Sequence, residues 1–456
     1  MAAGVSKTKW NGTHNGASVN EHSIVIRLEY EGKTPHEQIL LTPAIPTHLL
    51  WQGDPLDNHL FWGDNLGILA SLLPVYRGKV KLIYIDPPYA TKSVFQSRTQ
   101  TDAYTDLLEG SHYLEFLRQR LILLYELLAD DGSIYVHLDD NMAFHAKVLM
   151  DEIFGKTNFR NWITRKKCNP KNYTRNQFGN ISDYILFYTK SKDYVWNRVM
   201  NEWTQSHADK EYPYTEEGTQ RKYKKVPIHA PGVRNGETGK VWRGMLPPPG
   251  KHWQYLPSKL DEMDAKGEIY WSENGNPRRK VYLDESEGIP AQDIWLDFRD
   301  AHNQNIEITG YPTEKNPELL RRIIAASSNE GDLVLDCFSG SGTTLNVASQ
   351  LGRRWIGIDA SAEAITTTLK RFALGSKPMG DFVGKQVERV VAQRAQLTSF
   401  ALYAAANIKN TSDVVQQWLG WIDQSSAIAT PLAYVTHDDY EAEQRRLFER
   451  KNSVVA

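Results

Sequence analysis

Two short stretches hold residue types spaced for chemistry. The first is Asp86-Pro87-Pro88-Tyr89, directly after the apolar run Val80 to Ile85. The run predicts a strand buried in a parallel sheet. Proline cannot donate to a sheet ladder, and two in succession stiffen the chain that follows. A carboxylate, a free carbonyl and an aromatic ring are thereby fixed at the C-terminal end of a strand, where open α/β sheets place their chemistry. Such a trio can accept hydrogen bonds from an N–H group and stack on a flat ring. Taken alone, the tetrapeptide reads equally as a strand end followed by a Pro-Pro turn.

The second stretch lies far along the chain. Asp332-Leu-Val-Leu-Asp336 reads as a strand, Cys337-Phe338-Ser-Gly340-Ser-Gly342-Thr343-Thr344 as a turn into a helix, and Trp355-Ile-Gly-Ile-Asp359 as the next strand, again ending on an acid. Glycines let a backbone pass close to a ligand. An acid at the end of the second strand suits a ribose diol. The third glycine of the dinucleotide fingerprint is absent, with Leu345 in its place, and so is the P-loop lysine. The pattern therefore favours a nucleoside ligand without a pyrophosphate.

Together these motifs resemble the amino-methyltransferases of DNA, in which Asp-Pro-Pro-Tyr is the catalytic tetrapeptide and Phe-x-Gly-x-Gly the cofactor motif. The catalytic motif precedes the cofactor motif, an order similar to the β class, which includes type III modification subunits and solitary adenine methyltransferases. The resemblance spans roughly residues 50 to 370 and implies a Rossmann-like α/β domain with a mostly parallel sheet. It implies S-adenosylmethionine as cofactor, catalysis by Asp86, Pro87, Pro88 and Tyr89, and cofactor contacts from Asp64, Asn65, Lys315, Asp336, Phe338, Gly340, Gly342, Thr343 and Asp359. Lys315 sits in Thr313-Glu314-Lys315-Asn316-Pro317, where the family usually reads Thr-Gln-Lys-Pro, so Glu314 and Asn316 depart from it. Asp at the first catalytic position implies adenine N6 as the target, with cytosine N4 as the alternative. A DNA-binding subunit of a larger restriction-modification complex is another reading.

The remaining chain must position these parts. Residues 1–22 lack an apolar period and read as a flexible tail. Ser23 to Tyr30 alternates like a strand, and His48 to Leu60 reads as a lead-in loop. Gly63-Asp64-Asn65 opens a helix, with Asp64 or Asn65 as its N-cap. Ala90 to Asp106 forms a polar loop beside the first motif. Asp139-Asp140 reads as a helix cap rather than a metal site, so no metal is expected. Residues 23–194 and 293–373 form the two halves of one domain, separated by 195–292. That insertion is rich in Pro, Gly, charge and aromatics, and reads as the target-recognition region. Residues 374–456 read as a helical extension, with helices near Val387 to Leu397 and Asp413 to Ile422.

The charge is nearly balanced, 53 Lys and Arg against 55 Asp and Glu, so contact with duplex DNA must come from local patches. The candidates are Lys92 in the polar loop after the first motif, Arg165, Lys166, Lys167, Lys171 and Arg175 in one acid-free region, and Arg243, Arg278 and Arg279 in the insertion. A homodimer or a partner restriction subunit is compatible with this organisation. With only 2 cysteines, no bilayer-length apolar run and no signal-peptide core, the expected setting is a reducing cytoplasm, with no membrane partner.

Overall fold

The computed structural model describes residues 26–53, 57–88, 94–96, 102–105, 110–170, 176–300, 307–309, 311, 314–374, 377–378, 400–408 and 412–425. It divides into two compact units, 1–196 with 293–456, and 197–292.

The larger unit is built on a ten-stranded sheet. Its order is Thr47–Gln52, Ala401–Ala405, His59–Trp62, Arg354–Asp359, Leu333–Asp336, Val80–Ile85, Leu128–Leu138, Ser182–Thr189, Phe159–Lys166 and Ile294–Trp295. The six strands from Ala401–Ala405 through Leu128–Leu138 run parallel. Apolar layers cover both faces. Along Val80–Ile85, Ile83 and Ile85 pack with Ile68, Leu117 and Leu121 on one side. Leu82 and Tyr84 pack with Ile323, Ile365 and Leu369 on the other. A strand buried on both faces needs no polar alternation, which is why it appears in the sequence as a continuous apolar run.

Val80–Ile85 and Leu333–Asp336 are parallel neighbours, with Leu82 beside Val334. From the first the chain goes on to Leu128–Leu138, and from the second to Arg354–Asp359 on the opposite side. The strand order reverses between them, so a crevice opens at their C-terminal ends.

Several expectations need correction. Residues 26–30 form no ladder, and residues 23–25 lie outside the described residues. The lead-in loop instead contains the strand Thr47–Gln52, while His59–Trp62 is the strand that runs into Gly63 ahead of the next helix, as its apolar residues suggest. Within 90–106, Val94–Gln96 pairs with Asp102–Thr105 as an antiparallel hairpin. The C-terminal extension is not purely helical. Ala401–Ala405 inserts between Thr47–Gln52 and His59–Trp62, and every one of its residues is buried. Five small or apolar residues make a weak strand signal alone, and the neighbouring strands supply the ladder. The helix Ser412–Ser425 follows, whereas 387–397 lies outside the described residues.

The smaller unit carries a four-stranded antiparallel sheet, ordered Tyr214–Thr215, Lys222–Pro227, Pro277–Tyr282 and Ile269–Trp271. Its core comprises Ile228, Trp242, Trp253, Leu260, Met263 and Ile269. Trp242 stacks on Trp271 at 5.4 Å and meets Trp253 edge-on at 5.8 Å. Each indole N–H finds an acceptor: Asp261 for Trp242, Lys240 O for Trp253 and Asp264 for Trp271. Large rings with satisfied N–H groups let a small core stand without long apolar runs.

Candidate active site

The crevice holds a cavity of about 220 Å³ into which both motifs face, with Asp86, Pro87 and Pro88 opposite Phe338, Gly340 and Asp359. Asp64, Asn65, Lys315 and Thr343 also line it. Tyr89 lies outside the described residues.

The glycine turn is a backbone device. Gly340 and Gly342 have φ of +50° and +72°, a region that favours glycine. A Cβ on Gly342 would approach Thr368 Oγ1 to 2.7 Å, so a side chain there meets both strain and a clash. Gly342 N-caps the helix Thr343–Gln350. Asp336 ties the turn down: its carboxylate accepts from Phe338 N at 3.0 Å and from Thr344 Oγ1 at 2.6 Å. Asp359 does the same from the next strand, accepting from Gly340 N at 2.8 Å and Ser361 N at 2.9 Å.

Asp64 accepts from Leu66 N at 2.9 Å, the N-cap bond for Asn65–Tyr76. Asn65 donates to Cys337 O at 2.6 Å, joining this helix start to the glycine turn. Arg120, from Gly110–Leu127, donates to Asn65 Oδ1 at 2.5 Å and Asp64 Oδ2 at 3.2 Å, and lies 3.6 Å from the Phe116 ring centre. No motif flags Arg120; it sits in an ordinary amphipathic helix.

Lys315 forms an ion pair with Asp86, with 10% and 17% of the two side chains exposed. The departures from the family motif on either side of it have structural uses. Glu314 accepts from Thr309 N and Oγ1 and pairs with buried Arg371, which also donates to Ser341 Oγ at 3.2 Å. Asn316 caps the helix Pro317–Ser327 through Glu318 N at 2.9 Å.

Burial dominates the acid–base character of the turn. It pushes Asp336 up to about 7, helped by the charges of Asp86 and Asp359 and opposed by the Thr344 and Phe338 hydrogen bonds. It pushes Asp359 up to about 6, against backbone N–H bonds from Ser361, Gly340 and Ala360. Three carboxyl groups, Asp336, Asp359 and Asp86, gathered in one poorly solvated crevice favour a cation, which would draw Asp336 and Asp359 back toward their charged forms.

These features fit S-adenosylmethionine. A carboxylate can accept about four hydrogen bonds, and Asp359 shows backbone bonds from Gly340, Ser361 and Ala360, leaving acceptor capacity toward a ribose diol. The acidic surroundings suit a sulfonium, and the Lys315 ammonium suits an amino-acid carboxylate.

The basic candidates fare differently. Arg165 is corrected: it is 1% exposed, and its guanidinium bonds Asp183, Asp300 and Phe298 O. Asp183 also lies 3.0 Å from His137 Nε2; burial raises its carboxyl, yet His137 and Arg165 hold it far below the usual range. Alternation along Phe159–Lys166 points Arg165 inward, so it organises the sheet edge and is not available to a phosphate. Lys166 and Lys167 remain partly exposed, and Lys92, Lys171 and Arg175 lie outside the described residues. Arg243 pairs with Asp261 and Asp264, Arg279 donates to Tyr255 at 2.6 Å, and Arg278 is exposed. Asp139 accepts from the backbone N–H groups of Asn141 and Met142. Among the described residues no cluster is placed to hold a metal.

The N6_N4_Mtase family, described as DNA methylase, matches residues 80–370. The type II methyltransferase M.EcaI of Enterobacter cloacae is 54% identical over 371 residues, covering 80% of this chain and 81% of its own. The StyLTI Mod subunit, a type III restriction-modification protein of Salmonella typhimurium, is 26% identical over 397 residues, covering 78% of this chain and 60% of its own. The solved M1.HpyAVI–SAM complex aligns with a TM-score of 0.38 at 18% identity, covering 69% of this chain and 98% of that one. The catalytic-type motif precedes the glycine turn on two adjacent parallel strands, and the chain belongs to the N6/N4 DNA methylase family, in its β-class order, with S-adenosylmethionine as cofactor.

Proposed function

We propose that this chain methylates the exocyclic N6 amine of adenine at a specific site in double-stranded DNA. One observation carries the reading: Asp86 and the Phe338–Gly342 turn end neighbouring strands and share one cavity at the point where the strand order reverses. An amine inside a duplex is out of reach, so the base is flipped out, at a cost of a few kcal/mol. Tyr89 stacks on the extruded ring. The Asp86 carboxylate and the Pro87 carbonyl accept hydrogen bonds from the amine. An aryl amine is a poor nucleophile because its lone pair is shared with the ring, and two acceptors draw it toward tetrahedral geometry. S-adenosylmethionine supplies an electrophilic methyl on its sulfonium: the N–methyl bond forms as the S–methyl bond breaks, S-adenosylhomocysteine leaves, and the amine sheds one proton by way of the Asp86 side to solvent. Asp359 holds the ribose, the glycine turn admits the donor closely, and positioning accounts for most of the acceleration. The unit 197–292 is the reader of sequence, and the reducing cytoplasm is the setting.

Incubation with plasmid and cofactor, followed by sequencing that detects modified bases, tests this. N6-methyladenine at one sequence is expected; N4-methylcytosine would overturn the choice of base. Asp86→Ala should lower methylation by roughly 10²–10⁴-fold while calorimetry shows cofactor affinity retained. An active Asp86→Ala enzyme overturns the catalytic assignment. Asp359→Ala should weaken cofactor binding, and unchanged affinity would remove it from the ribose.

A further inference from the structure

Asp86 is in contact with an ammonium. Lys315 pairs with the carboxylate expected to accept the target amine, so the two compete for the same oxygens. The surroundings bear on how that competition is resolved. Glu314 is locked to Thr309 and Arg371, and Asn316 caps a helix and donates to Arg299 O at 3.2 Å. The Lys315 backbone is therefore fixed on both sides, and only its four-carbon stem can move the charge. The other cation lining the cavity, Arg120, is committed to Asp64, Asn65 and the Phe116 carbonyl. Among the described residues that line the cavity, Lys315 is thus the cation with reach, and it faces the carboxylates of Asp64, Asp86 and Asp359.

We propose that Lys315 is a positioning residue that makes binding of the target base depend on prior binding of the methyl donor. This rests on the reading of Asp86 as the base clamp. An α-amino-acid carboxylate entering the cavity offers the ammonium a second anion, and Lys315 transfers its contact to it. Asp86 is then left with lone pairs directed at the amine. Without that exchange, the amine must displace an ion pair in a crevice that screens charge poorly. The coupling is reciprocal: a bound base must tighten the donor by the same factor.

The test uses the full chain and an end-labelled, unmethylated duplex carrying its recognition sequence, with adenine kept at the target position so that the N6 amine is present, and binding is read by fluorescence anisotropy. S-adenosylhomocysteine supplies the amino-acid carboxylate. 5′-Methylthioadenosine supplies the nucleoside without it. In the wild type, S-adenosylhomocysteine should tighten the duplex by about 10-fold, within the usual range of coupling, and methylthioadenosine should not. In Lys315→Met the coupling should fall to near one while the duplex alone binds more tightly; Lys315→Arg should restore part of it. Undiminished coupling in Lys315→Met, or equal coupling from methylthioadenosine, overturns the proposal. The second comparison needs no variant, so a misfolded Lys315→Met does not spare the idea. If Asp86→Ala still methylates, the clamp reading falls; if Asp86→Ala is inactive and the coupling survives in Lys315→Met, only the Lys315 exchange falls.

Discussion

Glu314 and Arg371, in the larger unit, leave 1% and 2% of their side chains exposed. In the smaller unit Arg221 pairs with Asp284 and Glu285 at 2.7 Å with 33%, 57% and 58% exposed. Both are bonded networks of one guanidinium. The buried pair fixes a loop: Glu314 holds Thr309, and Arg371 reaches Ser341 in the glycine turn. Its desolvation cost is of the same order as its attraction, so its contribution is placement rather than stability. The exposed network holds its charges in water, where ion pairs contribute little and salt screens them. This buried pair sits beside the glycine turn, where a ligand must be positioned, and the exposed network covers a unit that stands on tryptophans.

Three substitutions probe that contrast, beginning with the largest effect. Arg371→Met strands a buried carboxylate and should cost about 3–5 kcal/mol in denaturant unfolding. The double variant Glu314→Gln/Arg371→Met should recover most of it. If the double variant is no more stable than the single, the pair is not the cause.

Asp336→Asn should act through pH. The folded carboxyl titrates near 7, above its ordinary 3.8, so its contribution to stability is full below about pH 4 and is lost as pH rises through 7. The variant should gain on the wild type across that window and hold a constant lead above it. Parallel stability curves for the two proteins would show that the buried charge is not felt.

The smallest effect is expected from Arg221→Ala, whose melting midpoint should match the wild type in high salt. A loss that persists there would place this network with the buried one.

The larger unit was legible where apolar runs end on acids. Val80 to Ile85, Asp332 to Asp336 and Trp355 to Asp359 carry their fold class and their chemistry in adjacent residues, because buried parallel strands need no partner-specific pattern. Asp64 was legible as an N-cap by the same local logic. Arg120 and Arg371 were not, since each matters through residues far away in sequence and an arginine on a helix normally faces solvent. Arg165 misled for the opposite reason: its run of like charge suggests a solvated loop, but the pleat turns every second residue inward. The short strands at 47–52 and 401–405 were invisible because pairing with distant strands, rather than propensity, makes them strands.

That last pairing has a consequence for how the protein is made. His59–Trp62 is flanked by Arg354–Asp359 on one side and Ala401–Ala405 on the other, both synthesised long after it. Until the ribosome has delivered residue 405, one of the chain's earliest strands presents an unsatisfied, apolar edge, the kind that invites pairing with another chain. The closing strand lies well beyond the last motif, at 359. A nascent chain that already holds every motif residue therefore still lacks the segment that seals its sheet, and truncations just past the motifs should be recovered as aggregates rather than as smaller enzymes.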